Sequence, residues 1–207
     1  MCLIIHKPAG LRIPHDLLIA AARLNADGWG LMGHDAGGQR LLQRHSQLEI
    51  EELLETEEEL AHAEYALHLR RRTRGRIDLD NTHPFEVDEG VYLMHNGTLQ
   101  FDEGPAGDSD TRSFSELVLR PLSRRYPGLL VDREFLHLLE LSLSPQNKAV
   151  LYDFPRRRFD FLNHRSGAQF EGLWLSSIKW IDAALLPLSS GSTVQQRAYD
   201  AREVLFL

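Results

Sequence analysis

The sequence predicts one α+β domain over residues 1–207, with layered sheets and helices outside them. Short apolar runs of strand type stand near both ends of the chain, and a block of helical periodicity lies between them. No internal repeat or low-complexity linker divides it. A hydrophobic fraction of 43% over 207 residues is enough for one sizeable core.

Cys2 to His6 reads as a short buried strand. Pro14 to Leu24 reads as a helix, with Pro at its first position and Leu17, Leu18, Ala21 and Leu24 at helical spacing. Asp27-Gly28-Trp29-Gly30 is a turn leading into a strand, and Gly37-Gly38 turns the chain back along Gln39 to Arg44. Ser46-Gln47-Leu48-Glu49 has the form of a capping box. It should open an acidic helix to about His62, with Leu48, Leu53, Leu54 and Leu60 inward and the glutamates in water.

Tyr65 to Leu69 is strand-like. Arg71 to Gly90 lacks periodicity and reads as a long loop, a kind of segment that often carries function. Val91 to Met94 is a strand ending in His95-Asn96-Gly97. After a loop from Asp102 to Ser109, Asp110 to Arg125 should be helical, with Phe114, Leu117, Val118 and Leu122 along one side. Leu136 to Leu143 adds a helix. Ala149 to Asp153 and Arg158 to Leu162 form a hairpin, Gly172 to Ser176 a strand, and Val204 to Leu207 an edge strand.

The net charge of −7 argues against a general nucleic-acid binder, because phosphate contacts need a basic surface. Only Arg70-Arg71-Arg72-Thr73-Arg74-Gly75-Arg76 runs the other way. No apolar stretch reaches the roughly 18 residues of a membrane span. His6-Lys7-Pro8 ends the first apolar run too soon for a signal peptide, so a cytoplasmic protein is expected. The single cysteine excludes an internal disulfide and a Cys-based zinc site, and the ten histidines lack zinc-protease spacing. Neither a metal nor a cofactor is expected.

A lone cysteine is usually a small core residue, but position 2 is unusual. Met1-Cys2 is followed by Asn25-Ala26-Asp27-Gly28-Trp29-Gly30, then His68-Leu69-Arg70-Arg71-Arg72-Thr73-Arg74-Gly75. Asn81-Thr82-His83-Pro84-Phe85, His95-Asn96-Gly97 and Ser109-Asp110-Thr111 come next. In order and spacing this set resembles the stand-alone members of the class II glutamine amidotransferases, which are N-terminal-nucleophile hydrolases. The resemblance implies a four-layer αββα sandwich with the first strand central in its sheet.

It also implies roles. Cys2, exposed by loss of Met1, would be both nucleophile and, through its free α-amine of pKa about 8, its own base. The Asn96 carboxamide and the Gly97 N–H would hold the oxyanion. The other reading of Asn96-Gly97 is a type I′ hairpin turn. Arg70 would clamp the carboxylate of glutamine, helped by Thr73, and Asp110 would bind its ammonium. Asp110 could equally be a helix N-cap. Asp27 and Gly28 would shape the loop beneath the nucleophile, His95 would support the oxyanion motif, and His83 reads as structural rather than catalytic.

There are departures from the family pattern. Arg72 stands where the family has Ala, Arg74 where synthase-fused members have His, and Leu24 where many carry Arg. No ATP- or dinucleotide-binding fingerprint is present. The expected function is a glutaminase that hands ammonia to a separate acceptor such as an ATP-dependent ligase. A γ-glutamyl amide hydrolase acting on a small molecule is the second reading. A non-catalytic protein whose arginines dock an acidic partner is the third.

Overall fold

The computed structural model describes residues 2–101 and 104–186. Strands β1 (Leu3–Lys7), β2 (Trp29–His34), β3 (Arg40–His45) and β4 (Glu64–Leu69) alternate with helices α1 (His15–Leu24) and α2 (Ile50–Glu59). Then come β5 (Phe85–Asp88), β6 (Val91–Asn96), α3 (Asp110–Phe114), a π-turn at Ser115–Leu119, α4 (Arg120–Arg125) and α5 (Arg133–Ser142). Strands β7 (Lys148–Asp153), β8 (Arg158–Leu162), β9 (Ala168–Phe170) and β10 (Leu173–Leu175) complete the described fold.

Two antiparallel sheets form, ordered β3-β2-β4-β1-β10-β9 and β5-β6-β7-β8. Alternation along each strand sorts side chains into layers. Leu3 and Ile5 of β1, with Tyr65, Leu67 and Leu69 of β4, face the core shared with α1 and α2. Ile4, Met32, Ala66, Met94, Val150, Tyr152 and Trp174 meet between the sheets. Val91, Leu93, Ala149 and Leu151 face outward onto Leu119, Leu130 and Leu136 of the second helical layer. The result is an αββα sandwich with β1 in the interior of its sheet.

Several expectations change. The capping box does not form: α2 begins at Ile50, and its N-cap Glu49 makes no side-chain capping bond. Nor are all its glutamates solvated, since Glu57 is buried. The segment 71–90 is not all loop, because β5 pairs there with β6. The helix from Asp110 is broken by the π-turn, whose extra residue shifts the helical phase. Leu119 is therefore buried, whereas Leu117, expected inward, is exposed. Strand β9 had no alternating signal in its three residues. The edge strand expected at Val204–Leu207 lies outside the described residues. Among the described residues no helix is long and apolar enough to cross a membrane.

Candidate active site

The same alternation that builds the core assembles the site. Cys2 is two residues before Ile4, Arg70 lies four beyond Ala66, and Asn96 and Ser176 lie two beyond Met94 and Trp174. Each therefore shares the parity of a residue that faces the space between the sheets. Each also sits at or just past a strand end: β1 starts at Leu3, β4 ends at Leu69, β6 at Asn96 and β10 at Leu175. The antiparallel register Leu3↔Leu69 brings the start of β1 beside the end of β4. Four strand ends thus meet at one end of the sandwich.

Cys2, Arg70, Thr73, His83, His95, Gly97 and Asp110 line one pocket there, together with Arg71, Arg72 and Arg74. Asn96 reaches the nucleophile candidate directly: its Oδ1 accepts from Cys2 N at 3.1 Å. The half-buried Cys2 thiol donates to the Arg71 carbonyl at 3.5 Å. Burial pushes its pKa up, and the Arg71 backbone dipole and the Arg70 charge offset this in part.

Asn96-Gly97 is not a hairpin turn. Strand β6 pairs with β7 only after the excursion through α3 to α5. Gly97 has φ 153°, and a Cβ there would collide with the side chain of Asn147. Glycine is required by this approach. Asn147 also accepts from His95 Nε2 at 3.0 Å, leaving Nδ1 to accept from the Thr111 hydroxyl at 2.8 Å. His95 thus ties β6 to α3.

Arg70 is 3% exposed. One guanidinium nitrogen, Nη2, donates to the Arg76 carbonyl at 2.7 Å. The other, Nη1, is buried and has no hydrogen-bond partner among the described residues. Burial lowers the Arg70 pKa, but arginine remains charged at any physiological pH. Asp110 accepts from Leu99 N at 2.6 Å and from Thr111 N at 2.8 Å, so each oxygen keeps acceptor capacity. The N-cap of α3 is Ser109, whose hydroxyl accepts from Arg112 N, so the N-cap alternative for Asp110 fails.

Asp27 and Gly28 hydrogen-bond to the arginine loop. Asp27 Oδ2 accepts from Arg72 N at 2.7 Å, and Gly28 O accepts from Arg70 N at 2.8 Å. The arginine loop is thereby pinned against β2. Gly28 has φ 112°, with the His45 carbonyl where a Cβ would stand. Thr73 is exposed at the rim. Arg71 places its guanidinium 4.9 Å above the Trp180 ring.

Beneath the pocket His68, His83 and His95 are buried and neutral. Burial drives His68 down to about 3 and His83 well below the usual range, and it lowers His95 too. His83 lies between the rings of His68 and Phe85, tilted to both, with both ring nitrogens unpartnered among the described residues. Such a ring is no ready base at neutral pH. Among the described residues no group of three or more His, Cys, Asp or Glu side chains could hold a metal ion.

Sequence reasoning missed Ser176, Asn147 and His68. The first two lie outside the recognisable motifs. His68 opens one of them, and strand parity alone could have flagged it as inward-facing.

Comparison with known proteins finds no match among curated proteins. Among solved structures, the glutamine phosphoribosylpyrophosphate amidotransferase from B. subtilis, complexed with ADP and GMP, is similar at 12% identity and a TM-score of 0.47. The match covers 84% of this chain but 41% of that one, so this chain spans about two fifths of the length of that protein. A profile of the class-II glutamine amidotransferases matches residues 15–147, more than half of the 207 residues. The chain belongs to the class-II glutamine amidotransferases.

Proposed function

We propose that residues 1–207 form one glutaminase domain that hydrolyses the side-chain amide of glutamine through a Cys2 thioester and supplies ammonia to an acceptor enzyme on another chain. The observation that carries this reading is the pocket lined by Cys2, Gly97, Asp110 and Arg70, whose buried Nη1 has no hydrogen-bond partner among the described residues. A buried guanidinium lacking one partner is costly unless an anion completes it. A carboxylate with spare acceptor capacity stands on the same pocket. An α-amino acid presents the matching pair of charges.

In the Met1-free chain the α-amine takes the thiol proton, and the Cys2 Sγ attacks the amide carbon. Asn96 Oδ1, 3.1 Å from Cys2 N, orients that amine. The oxyanion is met by an Asn96 Nδ2 proton and the Gly97 N–H. Collapse breaks the C–N bond, and the amine returns its proton to the leaving ammonia. Water then attacks the thioester, giving glutamate and restoring the thiol.

A γ-glutamyl amide hydrolase is the second reading. It is favoured by Arg71 and Arg72 on the same pocket, more positive charge than neutral glutamine calls for. The leaving group separates the two. Ammonia release from L-glutamine, measured alone and with candidate ligases, is the expected activity. Amine release from N-substituted γ-glutamyl amides, with none from glutamine, would replace the first reading by the second.

A further inference from the structure

Ser176 stands just past the end of β10, fully buried, on the sheet-facing side of the strand. Its backbone N–H donates to the Ile4 carbonyl at 2.8 Å, continuing the β1–β10 ladder. The reciprocal bond is not made by a carbonyl: the Ile4 N–H donates to the Ser176 hydroxyl at 2.8 Å. That same hydroxyl accepts from Asn96 Nδ2 at 2.9 Å. One oxygen therefore ties the strand that follows Cys2 to the carboxamide that the mechanism aims at the oxyanion.

The two ends of that carboxamide are held by different parts of the chain. Oδ1 faces Cys2 N, and Nδ2 spends one of its two protons on Ser176. Its remaining proton is then fixed in direction, which is what an oxyanion donor needs, because a preorganised dipole avoids reorganisation during the reaction. An unanchored carboxamide would rotate about its terminal torsion, which has no sharp staggered wells. Once Cys2 carries a free amine, that amine can donate or accept, so it constrains the carboxamide less than a peptide N–H does. The serine anchor then becomes the stricter one.

We infer that Ser176 is a positioning residue of this active site, acting through Asn96 to aim the oxyanion-binding proton. The inference rests on the functional reading above, and Ser176 lies outside residues 15–147 matched by the family profile.

The test follows alkylation of Cys2 in the full chain by a diazoketone analogue of glutamine, read by peptide mass spectrometry, so that no acceptor enzyme is needed. Ser176→Ala is expected to lower the limiting alkylation rate about 10- to 100-fold, the usual scale for a misplaced catalytic group. The half-saturating reagent concentration should change by less than about twofold, as expected for a transition-state effect. In an Asn96→Ala background the same substitution should change the rate by less than about threefold, because the residue it acts through is gone. Should Ser176→Ala fail to fold, Ser176→Cys fills similar space with a poor acceptor, and the Cys2 peptide is read separately. An unchanged limiting rate, or a drop of full size in the Asn96→Ala background, overturns the inference and leaves the functional reading standing. No labelling of wild-type Cys2 overturns both.

Discussion

Two buried charged centres in this molecule look alike in sequence and differ in their bookkeeping of hydrogen bonds. Glu57, on α2 in the outer helical layer, is saturated. Its oxygens accept from Arg12 Nε and Nη2 and from the buried Ile13 N–H at 2.7–3.0 Å. The pocket at the strand ends is not saturated. Among the described residues Arg70 leaves Nη1 unpartnered, His83 leaves both ring nitrogens so, and Asp110 holds acceptor capacity in reserve. Buried polar groups are nearly always satisfied, so a concentrated deficit calls for a reason. Saturation marks Glu57 as a staple of the fold, and the deficit marks the pocket as a place for a ligand.

Substitutions within the pocket should produce the largest effects and leave the fold in place. Asn96→Ala should lower kcat for glutamine hydrolysis about 100- to 1000-fold with little change in KM, since its donor counts chiefly in the transition state. Arg70→Ala should instead raise KM about 10- to 100-fold, because it removes ground-state binding of a carboxylate. Steady-state kinetics on both variants would break the comparison if Arg70→Ala changed only the melting temperature.

The neutral histidines under the pocket predict its acid sensitivity. Unfolded histidine has a pKa of about 6.5, while burial holds His68 at about 3 and His83 and His95 also below the usual value. Below pH 6.5 the unfolded chain therefore binds more protons than the folded one, so stability falls as pH falls. His68 alone should cost about 2 kcal/mol between pH 6.5 and pH 5. Thermal melts across that range should show a declining melting temperature. A flat profile would contradict the buried neutral cluster.

The staple should answer in stability alone, with no effect on activity. Glu57→Gln keeps the shape but weakens the charged bonds to Arg12 and to the Ile13 N–H. We expect a loss of about 1–3 kcal/mol in stability, read by denaturant unfolding, with kcat and KM unchanged. A change in KM would show that saturation does not separate the two centres.

Much of this was legible in the chain. The Asp27-Gly28, Arg70, Asn96-Gly97 and Asp110 motifs are local, and strand parity carries them to one end of the sandwich. Glu57 carried a signal that the acidic run hid. The stripe set by Ile50, Leu53 and Leu54 passes through position 57 at helical spacing, so it faces the core. Ser176 and Asn147 were not legible, because their roles depend on long-range contacts, Ser176 with Asn96 and Asn147 with His95 and Gly97. The π-turn left no mark either. It packs against β5 of the second sheet, and the apolar spacing from Phe114 to Leu122 fits an unbroken helix equally well.

The central claim is that Cys2, at the unsaturated end of the sandwich, is an N-terminal nucleophile. Intact-mass and N-terminal peptide analysis after treatment with a glutamine diazoketone tests it most directly. The account predicts a chain beginning at Cys2 and carrying a single adduct on that residue. Retained Met1 with no adduct on Cys2 would contradict it.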